Sequence, residues 1–309
     1  MSKRVVFLFS GQGAQKVGMG SDLKAASPAA ASLLDDAAGI LDFSLADVMA
    51  DGPEDELTRT SRCQPALYVH GLMCLKVLQE KVPGLEPVAA AGLSLGEFTA
   101  HAAAGTFGFA DGLKIVHQRG KFMEEACEAN PGSMAAVIGG TEEQVRGLAK
   151  ESGVDVANLN SPGQIVLSGT AEGIDKVVAG AKAAGCRMAK KLPVAGAYHS
   201  SLMAPAQEKL FGVLDDAAFV SPLIPVVANF TAAVEQGDVA IKDSLAQQVT
   251  GSVRWVESIE RLLEEGHTTF LELGPGGVLA GLMNRIRKGT EVIRCGSLEE
   301  IEAAADRLS

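Results

Sequence analysis

The sequence predicts an α/β protein with a mainly parallel sheet and a smaller βαββαβ unit set into it. Three observations carry this reading. Apolar runs rich in β-branched residues alternate with helical stretches along most of the chain, as expected of strands buried on both faces. The run Val88 to Ala91 leads into the tight turn Gly92-Leu93-Ser94-Leu95-Gly96, with a helix expected from Glu97. From Ser133 to Leu192 the pattern changes to short strands and two helices in the ferredoxin-like order. The expected division is therefore 1–131 with 195–309 as the large unit and 132–194 as an insert.

Taken in order, Arg4 to Phe9 reads as a buried strand, followed by the loop Gly11-Gln12-Gly13-Ala14-Gln15. Ser27 to Leu41 reads as a helix, and Pro65, favourable in a first turn, is expected to open another that runs to about Lys81. After the Ser94 turn, Asp111 caps a helix through Ala126 that ends before Pro131. In the insert, the expected strands are Met134 to Ile138, Val154 to Asn160, Gln164 to Ser168 and Cys186 to Leu192. Thr141 and Gln144 have capping-box spacing, and Ala171 to Ala184 forms the second helix. Further strands are expected at Pro225 to Asn229, Thr268 to Leu273 and Glu291 to Cys295, with helices from Leu202, from Val278 and at the C-terminus.

Composition narrows the function. The 309 residues are 47% hydrophobic with only 5% aromatic, enough for a core packed by Ala, Val and Leu. With 27 Lys and Arg against 38 Asp and Glu, the net charge of −11 argues against nucleic acid as a partner. Five scattered cysteines without a C-x-x-C pair suggest a reducing compartment rather than a disulfide framework or a zinc site. The first apolar run is too short for a signal peptide, and no stretch reaches the length of a membrane span.

The chemistry centres on Ser94. G-x-S-x-G is the spacing of a nucleophile elbow, in which the serine is thrust from a sharp turn and the next amide, that of Leu95, points where an oxyanion would form. Read structurally, the same residues are a plain strand-to-helix turn with a capping serine. A serine hydroxyl needs a base. Of the five histidines, His199 ranks first because it sits in the small-residue loop Ala195 to Ser200 where the chain returns from the insert; His101, on the helix after the turn, stays open. Arg119 lies among charged neighbours and taken alone reads as a solvated arginine.

The segments FSGQGAQ, GLSLGEFTA, RGKFMEEA, NLNSPGQIVLSG, AYHSSLM, QQVTGSVRW and FLELGPGGVLAGL, in this order, resemble the malonyl-CoA:acyl carrier protein transacylases over nearly the whole chain. The resemblance implies a hydrolase-like α/β core with a ferredoxin-like insert. It implies Ser94 as nucleophile, His199 as base oriented by the Gln248 carbonyl, and the amides of Gln12 and Leu95 as oxyanion donors. It further implies Arg119 as the group that grips the malonyl carboxylate, with Gln64 and Asn160 near the substrate. Malonyl-CoA and acyl carrier protein are the implied partners, no metal or redox cofactor is called for, and bacterial cytosol or plastid stroma is the implied compartment. Departures from the family are Leu93 where it commonly has histidine, Ser10 where it has proline and Tyr198 where it has phenylalanine. Arg187, Lys190 and Lys191, or Arg285, Arg287 and Lys288, are the basic clusters on which an acidic carrier would dock. The alternatives are a serine esterase or thioesterase, expected to show a late histidine such as His267, and a carrier- or CoA-binding module without turnover.

Overall fold

The computed structural model describes residues 4–308. Its nine strands are β1 (Arg4–Phe9), β2 (Glu86–Gly92), β3 (Gly132–Ile138), β4 (Asp155–Ser161), β5 (Gln164–Thr170), β6 (Met188–Lys191), β7 (Val226–Val227), β8 (Thr269–Leu273) and β9 (Glu291–Arg294). They form two sheets. The larger is parallel throughout, in the order β7-β2-β1-β8-β9. β1 lies at its centre and shows why the run is uninterrupted. Val5, Phe7 and Phe9 pack on one face against the helix Thr60–Lys81, while Val6 and Leu8 pack on the other against Trp255 and Leu279. A strand covered on both sides has no face on which a polar residue is tolerated.

The second sheet is antiparallel, in the order β4-β5-β3-β6, and its helices Glu142–Ser152 and Ala171–Gly180 cover one face. Order and connection are those of a ferredoxin-like unit. Thr141 and Gln144 form the expected reciprocal capping box. On the uncovered face Met134 and Val166 look toward the large sheet. β4 is also tied to the large unit, for Leu159 donates to the Val253 carbonyl at 2.9 Å and Val253 to that of Ala157 at 2.8 Å.

Several boundaries differ from the expected ones. The helix expected to open at Pro65 begins at Thr60, and Pro65 lies within it. Arg62 and Cys63 both donate to the Arg59 carbonyl, so the first turn closes before the proline, whose missing N–H removes only one early bond. The helix from Ala171 ends at Gly180, because residues 181–185 unwind into turns that reach Gly185 at φ +84°. β6 and β7 are shorter than the expected strands Cys186 to Leu192 and Pro225 to Asn229.

Candidate active site

Three loops at the C-terminal ends of parallel strands meet at one place. The Gln12 loop follows β1, the Ser94 turn follows β2, and Asn229 follows β7. This is where open parallel sheets place ligands. The two turn glycines are required by close approach. A Cβ on Gly92 would lie 1.9 Å from the Gly96 backbone, and one on Gly96 would lie 2.2 Å from the Phe9 carbonyl oxygen. The unusual backbone falls on the serine itself, with φ +54° and ψ −108°. His199 also has positive φ, at +55°. Such conformations cost about 1–3 kcal/mol each in non-glycine residues and persist only where the surroundings impose them. Here hydrogen bonds hold the serine's backbone. Its amide donates to Asn229 Oδ1 at 2.6 Å, and its carbonyl accepts from Gln248 Nε2 at 3.0 Å.

The side chain of Ser94 makes no capping bond to the helix Leu95–Ala103. Its Oγ lies 2.8 Å from His199 Nε2, and His199 Nδ1 lies 2.8 Å from the Gln248 carbonyl oxygen. Because a carbonyl can only accept, Nδ1 carries the proton and Nε2 is left as the acceptor facing Ser94. Burial, with Arg119 nearby, pushes the imidazole down to about 4, so it is neutral at ordinary pH. His101 is buried on its helix against Thr106 Oγ1 at 3.0 Å, away from the serine. His267 precedes β8 at the opposite end of the sheet and faces Glu265.

Arg119 is 1% exposed, not a solvated surface arginine. Its Nη1 donates to Gln64 Oε1 at 2.6 Å, and its Nη2 donates to Gln248 Oε1 at 2.9 Å and to Ser94 Oγ at 3.1 Å. Burial lowers its pKa to about 10, still charged at neutral pH. Among the described residues, the amides of Gln12 and Leu95 donate to no protein acceptor. All of these except Gln248 line a cavity of about 290 Å³, which also reaches Asn160, whose buried Oδ1 has no protein partner. The cavity lies between the strand ends of the large sheet and the uncovered face of the second. Tyr198, one of the departures, has its hydroxyl 2.5 Å from Thr60 Oγ1, which accepts from Gln12 Nε2 at 3.5 Å. Leu93 lines the cavity and Ser10 is buried, its Oγ occupying the space that a Cβ on Gly274 would need. Among the described residues no three His, Cys, Asp or Glu side chains gather as a metal site.

A family model described as "Acyl transferase domain" matches residues 6–299. The chain belongs to the acyl transferase family. Within it, the malonyl CoA-acyl carrier protein transacylase of Bacillus subtilis (strain 168) is 42% identical over 313 residues, covering 100% of this chain and 98% of that protein. The solved malonyl CoA-acyl carrier protein transacylase of Coxiella burnetii superposes with a TM-score of 0.95 at 33% identity, over 99% of this chain and 98% of that one. A malonyl-transacylase solved in complex with its type II PKS acyl-carrier protein gives a TM-score of 0.95 at 36% identity, over 98% of this chain and 99% of that one. As an acyl transferase, the chain is an enzyme of the α/β class with the parallel and antiparallel sheets described above.

Two residues of the site were not singled out from the sequence. Asn229 fixes the Ser94 amide, donates its own side chain to the Gly92 carbonyl at 2.7 Å, and shows in the sequence only as a polar residue ending an apolar run. Glu97 is fully buried beneath the turn and accepts from Gln248 Nε2 at 2.6 Å and from the Asn229 amide at 2.9 Å. Its signal was the one carboxylate in a helix of mostly small and apolar residues.

Proposed function

We propose that this enzyme transfers the malonyl group from malonyl-CoA, through an ester on Ser94, to the phosphopantetheine thiol of acyl carrier protein, supplying fatty acid synthesis. The observation that carries the reading is a buried arginine within hydrogen-bond reach of the same serine oxygen that faces His199. A generic esterase has no use for a buried guanidinium in its acyl pocket. A thioester acyl group ending in a carboxylate does, because the planar fork of arginine binds carboxylates bidentately.

In this reading, Ser94 Oγ attacks the thioester carbonyl as its proton passes to His199 Nε2. The developing oxyanion lies between the amides of Gln12 and Leu95, the latter at a helix N-terminus. The C–S bond breaks, and CoA leaves as the thiol with the proton from His199. The carrier's thiol then attacks the malonyl-serine with His199 again as base, the oxyanion collapses, and Ser94 recovers its proton. The Gln248 carbonyl steadies the imidazolium in the role that other serine enzymes give to a carboxylate. Gln64 orients Arg119, and Asn160 offers its free carbonyl oxygen to the substrate. No step calls for a metal or redox cofactor.

We further propose 1–131 with 195–309 as the catalytic core and 132–194 as an insert that walls the cavity, and a reducing compartment, bacterial cytosol or plastid stroma. The five cysteines are buried and free, and no helix among the described residues is long and apolar enough to cross a membrane. Initial rates with malonyl-CoA and carrier protein varied together test the function. Parallel double-reciprocal lines with malonyl-carrier as product are expected; free malonate as the main product would instead indicate a thioesterase.

A further inference from the structure

Glu97 has no solvent exposure, yet only one of its oxygens is engaged. Oε2 accepts from Gln248 Nε2 and from the Asn229 amide, while Oε1 has no partner. Burying a charge in this way is costly unless something compensates. The two neighbours it holds are the ones that hold the site. Asn229 Oδ1 takes the Ser94 amide; Gln248 donates to the Ser94 carbonyl, accepts from Arg119 through Oε1, and accepts from His199 through its backbone. One carboxylate oxygen therefore anchors the Gln248 side chain and the Asn229 backbone, the two residues that fix the serine's backbone, and through Gln248 steadies the guanidinium and the segment whose carbonyl orients the imidazole.

Its charge matters separately. Gln248 stands between Glu97 and Arg119, so the two opposite charges attract without touching. The charged groups acting on Glu97 are Arg119, which favours the carboxylate, and Glu235, which opposes it; burial outweighs the Asn229 and Gln248 hydrogen bonds and the Arg119 charge, and raises the group to about 7. Arg119 is reciprocally supported by Glu97 against its own burial.

We propose that Glu97 is a positioning residue and the internal counter-charge of Arg119, holding Asn229 and Gln248 in register while its negative charge competes with the acyl carboxylate for the guanidinium. This rests on the reading of Arg119 given above. A malonyl carboxylate arriving at Arg119 adds a second negative charge beside Glu97. Glu97 then takes a proton from the solvent on Oε1, the oxygen without a donor, while Oε2 keeps both hydrogen bonds. A neutral acyl group draws no proton.

The test is calorimetric binding of malonyl-CoA and acetyl-CoA to the Ser94→Ala protein, near neutral pH, in two buffers of different ionisation enthalpy. Malonyl-CoA binding is expected to take up part of one proton and acetyl-CoA binding none. Glu97→Gln, whose amide oxygen can occupy the Oε2 position, should abolish the uptake and tighten malonyl-CoA binding by about three- to tenfold, half to one pKa unit. It also serves as the control for His199, which faces Arg119 too. In the enzyme with Ser94 intact, Glu97→Ala should lower kcat for malonyl and acetyl transfer alike, and Glu97→Gln should recover at least tenfold of that loss. Equal proton uptake with both ligands, uptake that survives Glu97→Gln, or equal kcat in the Ala and Gln variants would overturn the proposal. If Arg119→Ala leaves malonyl-CoA binding unchanged, the reading of Arg119 falls and this inference with it. If that variant weakens binding but malonyl-CoA takes up no proton when Arg119 is intact, the inference about Glu97 fails alone.

Discussion

Arg119→Ala separates malonyl transfer from serine acyl chemistry in general. The guanidinium is 1% exposed and already ordered by Gln64 and Gln248, so little entropy is lost when it meets a carboxylate. A hydrogen bond to a charged group is worth roughly 1.5–3 kcal/mol, which puts the loss in malonyl kcat/KM at about ten- to more than a hundredfold. Nη2 also touches Ser94 Oγ, so some loss is common to every acyl group. The informative quantity is therefore the ratio of malonyl to acetyl loading on the protein, measured by intact mass after brief exposure to each acyl-CoA. Arg119→Ala should collapse that ratio, and Arg119→Lys should restore it only in part, since an ammonium keeps the charge without the planar fork. Because the alanine variant strips the donor from two buried amide oxygens, its melting temperature is read alongside. An unchanged ratio in a folded variant would refute the assignment and return the esterase reading to contention.

Three other outcomes are expected. His199→Ala should slow transfer by about 10²- to 10⁴-fold, as loss of a general base does, while His101→Ala should act through stability alone; steady-state rates and melting curves of both variants check this. Burial holds His70, His101 and His199 at about 4, 3 and 4 against an ordinary 6.5. As pH falls below 6.5 the unfolded chain binds protons that the folded chain does not, so their stabilisation, complete above that pH, is lost toward pH 4. Glu97, raised to about 7 from 4.5, and Glu272, also raised by burial, work in the opposite sense over their own windows, but burial lowers His117 as well, so four imidazoles stand against two carboxyl groups. Melting temperature should therefore fall in acid, and a flat profile from pH 6.5 to 4 would contradict these assignments. Finally, Arg285 donates to Gln164, which lines the cavity, and Lys191 precedes Leu192, which also lines it. Charge reversal within either exposed cluster should raise KM for carrier protein and spare that for malonyl-CoA; equal changes in both would remove the docking role.

Much of this was legible in the chain, for identifiable reasons. The parallel strands announced themselves because burial on both faces excludes polar residues, as in Val5 to Phe9. The insert was readable from its capping box and turn glycines, which act locally. The turn that carries Ser94 was readable because it needs glycine at two fixed positions, where close backbone approach leaves no room for a Cβ. Arg119 was not readable from its own surroundings. Its charged neighbours on the helix suggested solvent, and only the packing of that helix against Thr60–Lys81 buries it beside Gln64. Asn229 and Glu97 were missed for a related reason. Their roles lie in hydrogen bonds spanning more than 130 residues of sequence, which no local pattern encodes. The early start of the helix at Thr60 was hidden by Pro65, whose preference for a first turn was outweighed by bonds to the Arg59 carbonyl.

The central claim is that malonyl passes through Ser94, and the direct measurement is where the group sits midway. Protein exposed briefly to malonyl-CoA, separated from free CoA and digested, should carry malonyl on the peptide containing Ser94. Added carrier protein should then remove it in full as malonyl-carrier. Ser94→Ala, folded to the same melting profile, should carry none. Malonyl on another residue, or transfer that persists in Ser94→Ala, would contradict the account.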